Sequence, residues 1–190
     1  MPQISVRADI EAAAMEMFSR RGYHATAVKD ITSAAGVPKG SFYNHFASKE
    51  DLALHTLECY WAYALEGLKM LSRPAEPAKT RLLNYFEALN SYAEKHRYKT
   101  GCMVGNLATE MSEHSEKIRA KVSQVFDVWT TSLEACIRQG QADRSITNIM
   151  DSDKLAAFLL NSWEGSVLRA KADRSGRPLN VFAEFLIQIL

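Results

Sequence analysis

Apolar residues recur at intervals of three and four along nearly the whole chain, and this periodicity restricts the fold more than any other feature. In the first segment it places Val6, Ile10, Ala14 and Phe18 on one face of a helix. No stretch alternates with the period of two that a half-buried strand would show. Glycine (9) and proline (5) are scarce among the 190 residues, which argues against a turn-rich β fold. The sequence predicts an all-α protein of about nine helices with short connections, among them a fourth helix from about Lys49 to Leu71 and a loop from Gly140 to Asp151.

Composition and charge narrow the class of protein. The hydrophobic fraction of 47% and the charged fraction of 24% are ordinary for a globular chain, so bulk disorder is excluded. No apolar run approaches the ~18 residues of a membrane-spanning helix, and the first residues lack a signal-peptide core. We therefore expect a cytoplasmic protein. With a net charge of +1, any affinity for nucleic acid must come from a local patch.

Metal and disulfide chemistry receive little support from the sequence. The cysteines, Cys59, Cys102 and Cys136, are far apart and form no CxxC pair, so neither a disulfide framework nor a zinc knuckle is expected. His55 and Cys59 are spaced i and i+4 and could share a metal, but two ligands are too few. We expect no metal and no cofactor.

A helix-turn-helix pattern occupies the N-terminal part of the chain. Thr26 is suited to cap a short helix over residues 27–35, and Gly36 can adopt the left-handed conformation that ends it. A third helix is predicted over residues 38–45. Phe42 and Phe46 would anchor it inward, leaving polar side chains to enter the major groove of DNA.

Over about the first 55 residues the sequence resembles the TetR family of bacterial transcriptional repressors. The matching segments are residues 18–23, 26–31, 34–46 and 48–52. The resemblance implies a helix-turn-helix DNA-binding domain over residues 1–48 and a helical effector-binding and dimerisation domain over 49–190. It also implies release from operator DNA when an effector binds. The positions that match the family's usual DNA contacts are Thr26, Lys39, Gly40, Ser41, Tyr43, Asn44, His45 and Lys49.

A second segment, residues 101–112, resembles the branch of this family that contains the N-ethylmaleimide-responsive regulators of reductase operons. In that branch a cysteine at the position of Cys102 takes part in sensing electrophiles or oxidants. The residues themselves permit this role, because a helix capped by Thr100 would place Cys102 in its first turn, where the thiolate is favoured. The alternative is a small core residue packed beside Gly101 and Gly105.

A pocket for a small molecule is the more general expectation, because helical ligand sites form between helices and are largely apolar. The candidate effector-binding residues combine aromatic and sulfur-containing side chains with two polar ones: Cys102, Trp61, Phe86, Met103, Asn106, Glu110, Phe126, Trp129 and Trp163. For each of them, simple core packing is the alternative.

The last two helices carry more apolar surface than one packing face requires, which predicts an isologous four-helix dimer interface. The residues concerned are Phe158, Leu159, Trp163, Val167, Phe182, Phe185, Leu186 and Ile189.

The expected partners are thus double-stranded operator DNA, a small-molecule effector and a second copy of the chain, with no membrane and no enzymatic activity. Two other classes remain open at this point. One is a cysteine-dependent enzyme built on Cys102 and His96, and the other is a helical interaction module that binds no operator.

Overall fold

The computed structural model describes residues 5–190, and within them the chain forms nine α-helices, one short 3₁₀ helix at Lys69–Ser72 and no β-strand. The α-helices are α1 (Val6–Arg21), α2 (Val28–Ala34), α3 (Lys39–Phe42), α4 (Lys49–Leu68), α5 (Ala78–Lys95), α6 (Met103–Met111), α7 (Glu116–Asp143), α8 (Ser152–Asp173) and α9 (Arg177–Ile189). The expected all-α fold is confirmed. No helix in this described part of the chain is both long and apolar enough to cross a lipid bilayer.

The chain divides into two compact units, and each combines segments that are distant in sequence. Unit 1 comprises the chain up to Ala62 together with Cys102–Ser123, and unit 2 comprises Tyr63–Gly101 and Gln124–Leu190. The helix α6 therefore belongs to the same unit as the helix-turn-helix segment. The division into a DNA-binding domain over residues 1–48 and an effector-binding and dimerisation domain over 49–190 concerns function, and it stays a prediction.

Unit 1 is organised around α1, which packs against α2, α3 and α6. Its apolar face is fully buried at Ile10, Ala14 and Phe18. Ser5 caps the helix by accepting a hydrogen bond from the Ala8 amide, and Gly22 ends it with a φ of +83°. Only glycine adopts that conformation at little cost, so the position of Gly22 fixes where α1 stops.

Unit 2 is built mainly from α5, α8 and α9, with α9 packed on both of the others. An aromatic cluster forms its core, in which the ring of Phe86 lies 5.0 Å from that of Phe182 and 6.5 Å from that of Trp163. The Trp163 indole donates a hydrogen bond to Asn90 Oδ1 at 3.0 Å, so its polar atom is satisfied inside the unit.

The C-terminal ends of α7 and α4 differ from the sequence prediction for identifiable reasons. The loop expected to begin at Gly140 begins later, because α7 continues to Asp143 and Arg144 then adopts a φ of +64°. A Cβ atom at Gly140 would lie 2.5 Å from the side chain of Ile146, so this glycine makes room for close packing and does not end the helix. The predicted extension of α4 to Leu71 is also wrong, since the α-helix ends at Leu68 and continues as the 3₁₀ turn.

Candidate nucleic-acid interface

The turn between α2 and α3 is held by backbone hydrogen bonds around one glycine. Gly36 has a φ of +69°, and the Val37 amide donates back to the Thr32 carbonyl at 3.0 Å. This arrangement satisfies a carbonyl at the end of α2 and redirects the chain at once into Pro38, the residue before α3. The orientation of α3 is thus set by local residues.

The short helix α3 separates apolar anchors from polar groups. Phe42 is fully buried and Phe46 nearly so, with their ring centroids 5.7 Å apart. Lys39 and Asn44 are exposed, and Tyr43 is 61% exposed. The predicted helix over residues 38–45 is shorter in the structure, because α-helical geometry ends at Phe42 and the chain continues in turns.

The remaining predicted contacts on this segment also lie at or near the surface. Gly40 is exposed, and a Cβ atom there would meet nothing within 4 Å. Ser41 and His45 are half-buried. With Lys39, Tyr43 and Asn44 they form a polar surface that we call the α3 surface. It offers donors and acceptors to a nucleic-acid groove.

Thr26 does not cap α2, contrary to the sequence prediction. Its side chain is fully buried, and its hydroxyl donates to the Gly22 carbonyl at 2.7 Å. The N-cap residue is Ala27, whose amide donates to the Asp30 carboxylate at 3.2 Å. The hydroxyl thus satisfies the carbonyl of Gly22, the residue that ends α1.

Lys49 also faces the protein. Its ammonium donates to the carbonyls of Tyr23 and Thr26 at 3.0 and 3.1 Å and lies 3.9 Å from the centroid of the Tyr23 ring. Burial lowers the pKa of Lys49, and the nearby Glu110 carboxylate opposes that effect. Two of the three ammonium N–H groups thus hold the loop between α1 and α2 against the start of α4.

Two polar side chains of α6, one turn apart, bind the end of α1 and the loop that follows it. Asn106 Nδ2 donates to the carbonyls of Phe18 and Ser19, both at 3.0 Å. Glu110 Oε2 accepts a hydrogen bond from the His24 amide at 2.7 Å. The carboxylate also fills the space in which a Cβ atom at residue 22 would stand. We call Asn106 and Glu110 the α6 brace.

The predicted effector residues fall into both units. Trp61, Cys102, Met103, Asn106 and Glu110 belong to unit 1, whereas Phe86, Phe126, Trp129 and Trp163 belong to unit 2. Within unit 2 the structure brings Trp129 and Trp163 together, with ring centroids 5.5 Å apart, and Phe86 joins the same cluster.

Cys102 is the N-cap residue of α6 and is only 6% exposed. The expectation that Thr100 caps this helix is therefore wrong, because α6 begins at Met103. The thiol lies at the entrance of the helix and not within its first turn. Burial raises the pKa of the Cys136 thiol, in α7, to about 11.

A groove that is absent from the predicted sites lies between α5 and α9 in unit 2. It has a volume of about 500 Å³ and is bordered by polar residues of α5, including Asn84, Glu87 and Ser91, and by apolar residues of α9, including Leu179 and Ala183. The polar residues of α5 recur every three to four positions. This polar periodicity is the sequence signal that could have indicated the groove.

The apolar residues of α8 and α9 differ in whether they are buried within the chain or exposed. Of the eight residues predicted for the dimer interface, five are buried within the chain and belong to its core, namely Leu159, Trp163, Val167, Phe182 and Leu186. Phe158 and Phe185 are exposed, and Ile189 is half-buried. The large apolar side chains left exposed on these helices are Phe158, Leu168, Val181, Phe185 and Ile187.

Comparison with protein families matches both parts of this architecture. Residues 10–56 match the family described as bacterial regulatory proteins, tetR family, and residues 78–186 match the tetracyclin repressor-like, C-terminal domain. The second match covers more than half of the chain. The chain belongs to the TetR family. TetR-family proteins of this kind are transcriptional regulators, so the enzyme alternative is not carried further.

Individual relatives agree with this assignment over nearly the full length. The HTH-type transcriptional repressor DhaR of Mycobacterium sp. (strain GP1) is 36% identical over 191 residues, covering 100% of this chain and 94% of the relative. A crystal structure of a regulatory protein TetR from Rhodobacter sphaeroides superposes with a TM-score of 0.92 at 30% identity, covering 97% and 98% of the two chains.

The repressor NemR of Escherichia coli (strain K12) is 28% identical over 175 residues, covering 91% of this chain and 87% of NemR. The crystal structure of its reduced form has a TM-score of 0.86 and covers 97% and 96% of the two chains. The resemblance to the branch inferred from residues 101–112 is confirmed to this extent. The protein is a TetR-family DNA-binding transcriptional regulator.

Proposed function

We propose that this TetR-family regulator is a homodimeric repressor that binds a near-palindromic operator through the α3 surface. The observation that carries the proposal is the position of Lys39, Tyr43 and Asn44 at the surface directly above the buried rings of Phe42 and Phe46. A rigid apolar base under a short polar segment is what groove insertion requires. Each α3 would enter one of two successive major grooves.

The residues predicted to contact DNA divide into those that touch the operator and those that position the helices. Lys39, Gly40, Ser41, Tyr43, Asn44 and His45 face the operator as base or phosphate contacts. Thr26 and Lys49 act as positioning residues, because their polar atoms bind carbonyls of the α1–α2 segment. The loss of either one would alter DNA affinity indirectly, through the placement of α2 and α3.

Dimerisation is assigned to the exposed apolar residues of α8 and α9. A two-fold axis through this face would pair each helix with its copy and bury Phe158, Phe185 and Ile187, which are each more than half exposed. The same two-fold axis would relate the two operator half-sites. The regulator would act in the cytoplasm, where the bacterial chromosome lies.

The effector response is assigned to α6. The α6 brace binds the last carbonyls of α1 and the amide of His24, so a displacement of α6 changes the entry to the helix-turn-helix segment. An effector releases DNA only if it binds the displaced conformer more tightly than the DNA-binding one. Cys102, at the N-cap of α6, is the candidate for modification by an electrophile, and the unit 2 cluster of Phe86, Trp129 and Trp163 is the candidate for a reversible ligand.

The central test is selection of duplex DNA from a random pool with the full-length protein, followed by titration of the enriched site at several salt concentrations. Lys39→Ala should weaken binding, and Asn44→Ala should reduce discrimination between sites by about 1–3 kcal/mol. Lys95→Ala removes an exposed lysine outside the α3 surface and is the matched control for Lys39→Ala. Failure to enrich any sequence would favour an interaction module instead.

The effector assignment has its own test. Treatment with N-ethylmaleimide should release the wild-type protein from the selected site, whereas Cys102→Ser should bind DNA and resist release. Cys59→Ser controls for modification of another thiol. A normal response in Cys102→Ser would eliminate the thiol mechanism and leave reversible ligand binding.

A further inference from the structure

Two helices of unit 1 bring a carboxylate, an imidazole and a thiol together at a place that the proposed regulatory function does not use. Glu11 lies on α1, whereas His55 and Cys59 lie one turn apart on α4. Glu11 Oε1 is 2.8 Å from His55 Nε2, which is 3.6 Å from Cys59 Sγ. The three ligand atoms all lie within 4.8 Å of one another.

These separations are close to those of a tetrahedral metal site. Zinc binds oxygen, nitrogen and sulfur at about 2.0–2.3 Å, which places neighbouring donor atoms about 3.3–3.8 Å apart. The distance between His55 Nε2 and Cys59 Sγ already has this value. The 2.8 Å separation between Glu11 Oε1 and His55 Nε2 must widen by roughly half an ångström, which a rotation of the Glu11 side chain can supply.

The surroundings suit an ion that enters from solvent. The side chains of Glu11 and His55 are 19% and 32% exposed, and Cys59 is half-buried, so the donors are accessible but partly shielded. The two helices fix the donors from both sides, as α1 and α4 are each anchored in the unit 1 core through residues such as Ile10 and Leu52. The donor set therefore does not depend on a loop.

We propose that Glu11, His55 and Cys59 bind a zinc-like divalent cation, with water in the fourth position. The mixture of one sulfur, one nitrogen and one oxygen donor selects a borderline-soft ion such as Zn²⁺ over Mg²⁺ or Ca²⁺. On binding, the metal–sulfur bond forms while the S–H bond breaks, and the thiol proton leaves to solvent. No oxidant or reductant is involved.

Arg7 is the competing group. Its Nε donates to Glu11 Oε1 at 2.7 Å, and its guanidinium carbon lies 5.1 Å from the ring centroid of Phe46. The side chain is 47% exposed, so its ion pair with Glu11 contributes little and gives way to a divalent ion. Binding would exchange a surface ion pair within α1 for a bridge between α1 and α4.

The bridge would stand beside the anchors of α3. The ring of His55 packs 5.9 Å from that of Phe46, which in turn contacts Phe42. A metal ion would therefore stiffen the apolar base of the α3 surface. The ion-binding site itself is independent of operator binding, and its test uses no DNA.

The test titrates Co²⁺, as a spectroscopic probe, into the full-length protein after removal of any affinity tag and treatment with a chelator. We expect one Co²⁺ per chain, a charge-transfer absorption from the thiolate and the strong visible bands of tetrahedral coordination. Zn²⁺ should displace the signal and Mg²⁺ should not. Zn²⁺ should also raise the melting temperature of the protein.

The variants separate metal binding from the hydrogen-bond network that the same atoms form. Cys59→Ser keeps a hydroxyl for hydrogen bonding but is a poor zinc ligand, so it should abolish the thiolate band and weaken Zn²⁺ binding by about 100-fold or more. Glu11→Gln and His55→Gln should weaken it similarly. Glu58→Gln, which removes a neighbouring exposed carboxylate, and Cys102→Ser should bind as the wild type does.

The same Co²⁺ spectra can also contradict the proposed metal site. The absence of a thiolate band in the wild-type protein would overturn the proposal, as would a band that persists in Cys59→Ser or disappears in Cys102→Ser. Melting curves of the metal-free variants, compared with the metal-free wild type, verify that each one is folded before its affinity is measured.

Discussion

The α3 surface and the α6 brace belong to the same unit, and both consist of polar residues that the sequence assigns to ligand contact. Lys39, Tyr43 and Asn44 on the α3 surface are exposed to solvent. Asn106 and Glu110 of the α6 brace instead bind backbone groups at the end of α1 and in the loop that follows it. One set is presented to an external partner, while the other serves the protein itself.

The difference arises from the unpaired backbone groups at the end of a helix. The carbonyls in the last turn of a helix are only partly satisfied by the helix itself, and those of Phe18 and Ser19 in α1 lie within reach of α6. A side-chain amide at residue 106 satisfies two of them, and a carboxylate at residue 110 satisfies the next loop amide. On the α3 surface, Lys39, Tyr43 and Asn44 stay exposed among residues 5–190. Residue type alone therefore does not distinguish a ligand contact from an internal support.

The largest expected effect is a difference in stability between variants at two adjacent residues of the α3 segment. Phe42→Ala should lower the free energy of unfolding by about 3–5 kcal/mol, because it empties a fully buried site in the unit 1 core. Tyr43→Ala should change stability by less than about 0.5 kcal/mol while weakening DNA binding. Urea denaturation and DNA titration of both variants provide the measurement. Equal loss of stability would contradict the division between anchor and surface.

A smaller loss of stability is expected in the α6 brace. Asn106→Ala removes the side-chain donor from the carbonyls of Phe18 and Ser19, and Phe18 keeps only the Gly22 amide, so the loss should be about 1–3 kcal/mol. Hydrogen exchange should become faster for amides near the end of α1. Thr109→Ala, at an exposed position of the same helix, is the control. An unchanged exchange rate in Asn106→Ala would show that water replaces the amide.

Lys49 and Lys39 should differ in their contribution to stability, because one faces the protein and the other faces solvent. Lys49→Met should destabilise the protein by about 1–3 kcal/mol, because two loop carbonyls lose a charged donor. Lys39→Met should leave stability unchanged, since its side chain is exposed. Thermal and urea unfolding of the two variants under identical conditions test this prediction, and a larger loss for Lys39→Met would reverse the assignment.

The pH dependence of stability should distinguish the two lysines further. Burial lowers the pKa of Lys49 below its usual 10.5 in the folded state. Between the lowered value and 10.5 the unfolded chain holds the proton more often, so this residue makes stability rise with pH in that window. The rise should disappear in Lys49→Met and persist in Lys39→Met. Urea denaturation from neutral pH to about pH 10 measures the difference.

The smallest effect concerns DNA binding by Lys39. Lys39→Ala should weaken affinity for all sequences and reduce the slope of log affinity against log salt by about one, as expected for the loss of one phosphate contact. Lys49→Met should lower affinity with little change in slope if its role is positioning. Equal changes in slope would mean that the third N–H of Lys49 reaches a phosphate.

The helix-turn-helix segment could be predicted closely because its determinants are local. Gly36 ends α2, Pro38 precedes α3, and the spacing of Phe42 and Phe46 identifies the buried face. The same local reasoning was wrong for Thr26 and Gly140. The Thr26 hydroxyl binds a carbonyl that precedes it, and Gly140 meets Ile146, which lies beyond the end of its helix.

The sequence by itself determined the helical period, the sharp bend at Gly36 and the family, because each of these depends on residues within a few turns of one another. Tertiary structure alone decided that Asn106 and Lys49 face inward and that Glu11 joins His55 and Cys59. Those outcomes depend on which helices cross. A crossing brings together atoms that are far apart in the chain, and no short-range pattern of residues records that meeting.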